Sequence, residues 1–136
     1  MLLAGAVFLG GAHFAYALGP KEDVVIPLSD KPVLMPGQFE WQPELSTEGE
    51  VSININLSLQ MLEVLRGGTL IARSTISSGR AGYSTPTGTF PIIEKDLTHY
   101  SNLYNNAPMH FMQRLTFQGV ALHAGDLPGV PASHGC

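Results

Sequence analysis

Val51-Ser52-Ile53-Asn54-Ile55-Asn56-Leu57-Ser58 alternates apolar and polar residues along its whole length. That alternation puts Val51, Ile53, Ile55 and Leu57 on one face of an extended chain and the serines and asparagines on the other, as in a half-buried strand. Immediately downstream, Leu62-Glu63-Val64-Leu65-Arg66 and Thr69-Leu70-Ile71-Ala72-Arg73 flank Gly67-Gly68. Two glycines accept the positive φ values of a type I′ turn, so this pair of runs reads as a β-hairpin. The domain therefore opens as a β-meander.

Working outward toward the C-terminus, Ser77-Ser78-Gly79 and the stretch from Gly82 to Gly88, with Pro86 between two threonines, are rich in turn formers. Residues 89–93 read as another strand, confined by Pro91 to an edge or a bulge. One or two helical turns fit between Tyr100 and Met112, interrupted by Pro108, and Gly119-Val120-Ala121-Leu122-His123 reads as a further short strand. The expected fold is mainly β, a β-sandwich or open barrel with few or no short helices. Composition agrees: the 136 residues include 15 Gly and 10 Pro, too many breakers for a helical bundle, while 44% hydrophobic residues argue against a disordered chain. There is no internal repeat.

Toward the N-terminus, residues 1–20 carry no charged side chain, and Ala15-Tyr16-Ala17 matches a small-x-small cleavage site. The segment reads as an export signal cut before Leu18, or as a membrane anchor, although no Lys or Arg stands near Met1. Residues 21–49, with Pro27, Pro32, Pro36 and Pro43 and no sustained period, read as a Pro-rich linker. The expected location is the periplasm or cell envelope. A net charge of −4 offers no footprint for a phosphate backbone, so nucleic acid is not an expected partner.

The chemistry concentrates in His123-Ala124-Gly125-Asp126-Leu127-Pro128-Gly129-Val130-Pro131-Ala132-Ser133-His134-Gly135-Cys136. The chain has a single cysteine, which excludes an intramolecular disulfide. A thiol attacks as thiolate and needs a base or cation close by. His123, at a strand end, is the better-held base; His134 stands two residues before the thiol. Pro128, Gly129 and Pro131 turn the intervening loop so that His123 can face Cys136. The amides near Gly135 and Cys136 could serve a developing oxyanion. A buried, inert cysteine is the bland alternative. A zinc site from His123, Asp126, His134 and Cys136 is a weaker one, because the spacing matches no common zinc pattern. No cofactor is expected, since Gly79 to Gly82 lies between strands rather than between a strand and a helix.

Ser133-His134-Gly135-Cys136 after the His123 strand, together with Thr85-Pro86-Thr87-Gly88, resembles the L,D-transpeptidases with a YkuD-type domain. The resemblance covers about residues 50–136 and includes Gln60, the Gly67-Gly68 hairpin, Ser77-Ser78-Gly79 and the stretch from Pro108 to Leu115. It implies a mostly β catalytic domain acting on peptidoglycan stem peptides by forming an acyl-enzyme and passing it to an amine. It makes Cys136 the nucleophile, His123 the base and the Ala124 carbonyl the group that orients the imidazole. Ser133, His134 and Gly135 would shape the oxyanion and acceptor side, and Thr85 to Gly88 would fix the fold. Tyr104, Met109 and Arg114 would bind substrate. Residues 104–114 would form a lid, unless Met109, Phe111 and Met112 are core. Further implied partners are a lipoprotein or cell-wall acceptor and carbapenem-type β-lactams. A hydrolase using the same Cys and His, or a non-catalytic envelope-binding domain, are the alternatives. The family pattern continues beyond the Cys, so the catalytic domain at 50–136 is expected to be C-terminally incomplete.

Overall fold

The structure, a computed structural model, describes residues 33–136; the expected signal or anchor at 1–20 and the start of the Pro-rich stretch lie outside the described residues. The described chain forms two compact units, residues 33–76 and 77–136, each built on an antiparallel sheet. Its only helix is the 3-10 turn Pro43–Leu45. Mainly β is thus the observed class.

In the first unit the strands are β1 (Phe39–Trp41), β2 (Val51–Asn56), β3 (Met61–Arg66) and β4 (Thr69–Thr75), in spatial order β1-β4-β3-β2. The glycine hairpin is present: Arg66 pairs with Thr69, and Gly67 and Gly68 have φ of +57° and +84°. Val64 pairs with Ala72 and Leu65 with Leu70, which leaves Ile71 as an extra residue in β4. Ile71 is buried, and its carbonyl accepts a hydrogen bond from the Gln42 amide at 2.8 Å.

Two expectations need correction in this unit. β1 comes from the stretch read as linker; its pairing with β4 and the Glu40–Arg73 ion pair, 2.6 Å long, bring Phe39–Trp41 into the sheet. The period of β2 is right, yet only Ile53 is half-buried, while Val51 and Ile55 are exposed. β2 has a single neighbour in the sheet. Alternation selects a face; it does not supply what covers it.

The second unit holds β5 (Glu94–Tyr100), β6 (Pro108–Arg114) and β7 (Ala121–Leu122), with β6 in the centre. The strand expected at 89–93 begins instead at Glu94. Pro91 has no N–H to give a ladder, and the first such bond runs from the Ile93 amide to the Arg114 carbonyl. The expected helical turns after Tyr100 are a hairpin connection: Asn105 and Asn106 have φ of +48° and +54°, and the Ala107 amide donates to the Tyr104 carbonyl. Pro108 then takes the first position of a strand, which its ring permits. Within the stretch 104–114 read as a lid, residues 108–114 are therefore a strand, paired with β5 and, at Gln113 and Arg114, also with β7. Met112, 1% exposed, is the most buried side chain of this unit.

Candidate active site

Every element of the site belongs to the second unit. Its base is a clamp between residues 77–85 and 130–135. Gly79 forms a parallel bridge with Ser133, the Arg80 amide donates to the Ser133 carbonyl at 3.0 Å, and the amides of Ala132 and Ser133 both donate to the Ser78 carbonyl. The Thr85 hydroxyl completes the clamp, accepting from the Gly79 amide at 2.8 Å and donating to the Gly135 carbonyl at 3.0 Å. Thr85 thus ties the Thr-Pro-Thr-Gly motif to the residue before the thiol. Gly79 is obligatory on steric grounds, because a Cβ there would lie 1.7 Å from the Tyr83 carbonyl oxygen.

On this clamp Ser133 closes the turn that carries Cys136. Its hydroxyl accepts from the Gly135 amide at 3.1 Å and donates to the Cys136 carbonyl oxygen at 2.5 Å. The thiol is half-buried and donates to the Gly119 carbonyl at 3.5 Å. Burial pushes its pKa above the ordinary thiol value, while a hydrogen bond from the Ala121 backbone and the Arg114 charge act in the opposite direction. Arg114, expected to meet substrate, is held by Glu94 at 2.5 Å, so its evident part in the site is the positive field at the thiol.

His123 follows β7. Its Nδ1 lies 2.9 Å from the Ala124 carbonyl oxygen. A carbonyl only accepts, so Nδ1 carries the proton and the neutral ring presents its lone pair at Nε2. No hydrogen bond joins His123 to Cys136 among the described residues; in this structure the thiol is paired with Gly119 instead.

His134 has different company. Its ring stacks on Tyr104 at 4.4 Å between centroids and meets Tyr83 edge-on at 5.0 Å. The Arg80 guanidinium donates to its Nε2 at 2.9 Å and lies 4.8 Å from the Tyr83 ring centre. Sequence reasoning placed Tyr104 and His134 in the site but missed Arg80 and Tyr83. Their only cue was the tract of turn formers before Thr85. Met109 is half-buried on β6 in register with His99 and joins none of these bonded or stacked groups. Among the described residues no three His, Cys, Asp or Glu side chains converge as metal ligands.

A model of the L,D-transpeptidase catalytic domain, YkuD, matches residues 50–136. The chain belongs to the L,D-transpeptidase family. Among solved structures, this L,D-transpeptidase domain is similar to an L,D-transpeptidase from Stackebrandtia nassauensis, with 26% identity and a TM-score of 0.55 over 67% of this chain and 45% of that one. Residues 123–326 of an L,D-transpeptidase from Xylanimonas cellulosilytica DSM 15894 share the fold at 24% identity and a TM-score of 0.58, over 65% of this chain and 48% of that one. The chain thus spans a little under half the length of these solved relatives. Comparison with curated proteins gives no match. Both relatives agree with the mainly β architecture of this L,D-transpeptidase domain.

Proposed function

We propose that the domain is a peptidoglycan L,D-transpeptidase that uses Cys136 as nucleophile and His123 as base. The observation that carries this reading is the His123 Nδ1 to Ala124 carbonyl contact, which fixes the tautomer and leaves Nε2 as acceptor for a proton. In the forward step the thiol proton moves from Sγ to His123 Nε2 as Sγ attacks the carbonyl carbon of the third stem residue. The tetrahedral intermediate collapses with cleavage of the bond to the terminal D-alanine, whose amine takes the proton from His123. An acceptor amine then attacks the thioester and gives up its proton to His123, and the departing Cys136 thiolate takes that proton back. The acceptor would be a neighbouring stem or a lipoprotein.

The Gly135 amide is already engaged by Ser133 Oγ, which leaves the Cys136 amide as the oxyanion donor on this turn. His134, flanked by Arg80, Tyr83 and Tyr104, would line the acceptor side. Thiolate formation is uphill in the free domain, because burial raises the thiol pKa. Arg114 offsets part of that cost. Together with the apolar segment at 1–20, this reading places the enzyme in the cell envelope. The test is intact-protein mass spectrometry after incubation with a tetrapeptide stem or a carbapenem. A mass increment localised to Cys136 supports the reading. Transfer of the acyl group to an added amine separates a transferase from a hydrolase, and an unmodified Cys136 leaves only a binding domain.

A further inference from the structure

β6 keeps one register with β5, Lys95 pairing with Gln113, Asp96 with Met112 and Thr98 with His110, with only the pair at Leu97 and Phe111 missing. Against β7 it does not. Gln113 pairs with Leu122, but the next bond on that side runs from the Ala124 amide to the His110 carbonyl, at 2.9 Å. Between these two contacts β6 contributes Phe111 and Met112, and the facing chain contributes His123 alone. Two residues opposite one is a β-bulge, and the single residue opposite it is the one read here as the base. The backbone marks the same place. Phe111 has φ of +58°, the left-handed setting that the first position of such a bulge normally reserves for glycine.

A bulky side chain in that region is uncommon and strained unless something holds it. Burial of its own ring is not what holds Phe111, since the residue is 62% exposed. The neighbouring Met112 is buried at 1% and anchors the bulge from inside. Bulges beside active sites re-aim a side chain by adding local twist. Here the added residue falls between the two hydrogen-bonded contacts that flank His123, so it sets the direction in which the imidazole leaves the chain.

We propose that the Phe111–Met112 bulge is the device that aims His123, with Phe111 acting as a positioning residue through its left-handed backbone rather than through its ring. The catalytic consequence rests on the base role given to His123 above; the aiming itself does not. Regular pairing would carry the facing chain through without the added twist and would turn the imidazole away from the Ala124 carbonyl that fixes its tautomer.

The experiment compares Phe111→Gly and Phe111→Asn, which accept positive φ without a ring, with Phe111→Val, whose branched Cβ opposes it. Nitrogen NMR of the His123 ring reads the Nδ1–H tautomer, and carbapenem acylation of Cys136 reads the chemistry. The Gly and Asn variants are expected to keep both, and Val to lose the tautomer and slow acylation by about 10²-fold, as misplacement of a reacting group by an ångström does. Should Val fail to fold, Gly and Asn still decide. Loss of the Nδ1–H signature in those two variants, or its retention in a folded Val variant, overturns the proposal. If the tautomer follows the series while His123→Ala acylates at the parent rate, the base assignment fails and the aiming stands.

Discussion

Cys136 is a thiol that the native fold keeps protonated more firmly than the unfolded chain does, since burial outweighs the Ala121 hydrogen bond and the Arg114 charge. Alkylation by iodoacetamide should therefore rise with pH along a curve centred above the ordinary thiol value of about 8.5. Arg114→Gln should move that curve further up; an unmoved midpoint would deny the arginine its part. The linkage has the matching sign: the contribution of this group to stability is intact below the unfolded thiol pKa and falls as pH rises through that value toward the folded one. In acylation assays Cys136→Ser should abolish product, and His123→Ala should slow it by roughly 10² to 10⁴. His134→Ala should be milder, and a larger loss there than at His123 would exchange their roles. His123, His134, Gly135 and Cys136 stand out as candidates because they lie in one short tract whose residue types suggest a thiol, a base and a tight turn, whereas Ser133 and Ala124 are singled out only by the family resemblance. Arg80 and Tyr83 stand out in neither way, because their link to His134 exists only once the chain brings position 80 beside position 133.

Strands and turns divide along the same line of local against non-local information. Gly67-Gly68 was readable as a hairpin because a two-residue turn is specified by its own two residues. Asn105-Asn106 carries a similar left-handed signal that the expectation of helical turns overlooks, although asparagine is the non-glycine residue that best tolerates this backbone. Asn106→Val should accordingly destabilise the domain by about 1–2 kcal/mol in denaturant titration, with Asn106→Gly neutral or stabilising. The central place of β6 escapes the sequence reading because helical turns are expected across Tyr100 to Met112, although both partners of β6 are its sequence neighbours. The clamp supplies the sharper test at this scale. Gly79→Ala would force its Cβ onto the Tyr83 carbonyl and dislodge the bridge to Ser133, so acylation of Cys136 should fall even where circular dichroism shows the sheets intact. A normally reactive Gly79→Ala protein would mean that the clamp does not hold the thiol.

Among the described residues the apolar core is thin: Leu34, Met61, Ile71 and Ala72 in the first unit, Met112 and Ala121 in the second. Larger side chains such as Phe39, Trp41, Leu97, Phe111 and Phe117 are more than half exposed. Net stability is a small difference between large terms, so so little buried apolar area points to marginal stability. The 136-residue chain is expected to bind a hydrophobic dye and to unfold over a broad temperature range; a sharp transition without dye binding would contradict this. The mainly β class was legible from alternation and turn residues, whereas the exposure of the β2 face was not, because amphipathicity in one strand carries no information about its cover. The central claim, that Cys136 is an acylatable nucleophile served by His123, is tested most directly by the mass of the protein after exposure to a carbapenem. The account predicts a single adduct on Cys136 that forms far more slowly in His123→Ala. An unmodified thiol, or an adduct that forms equally fast without His123, would contradict it.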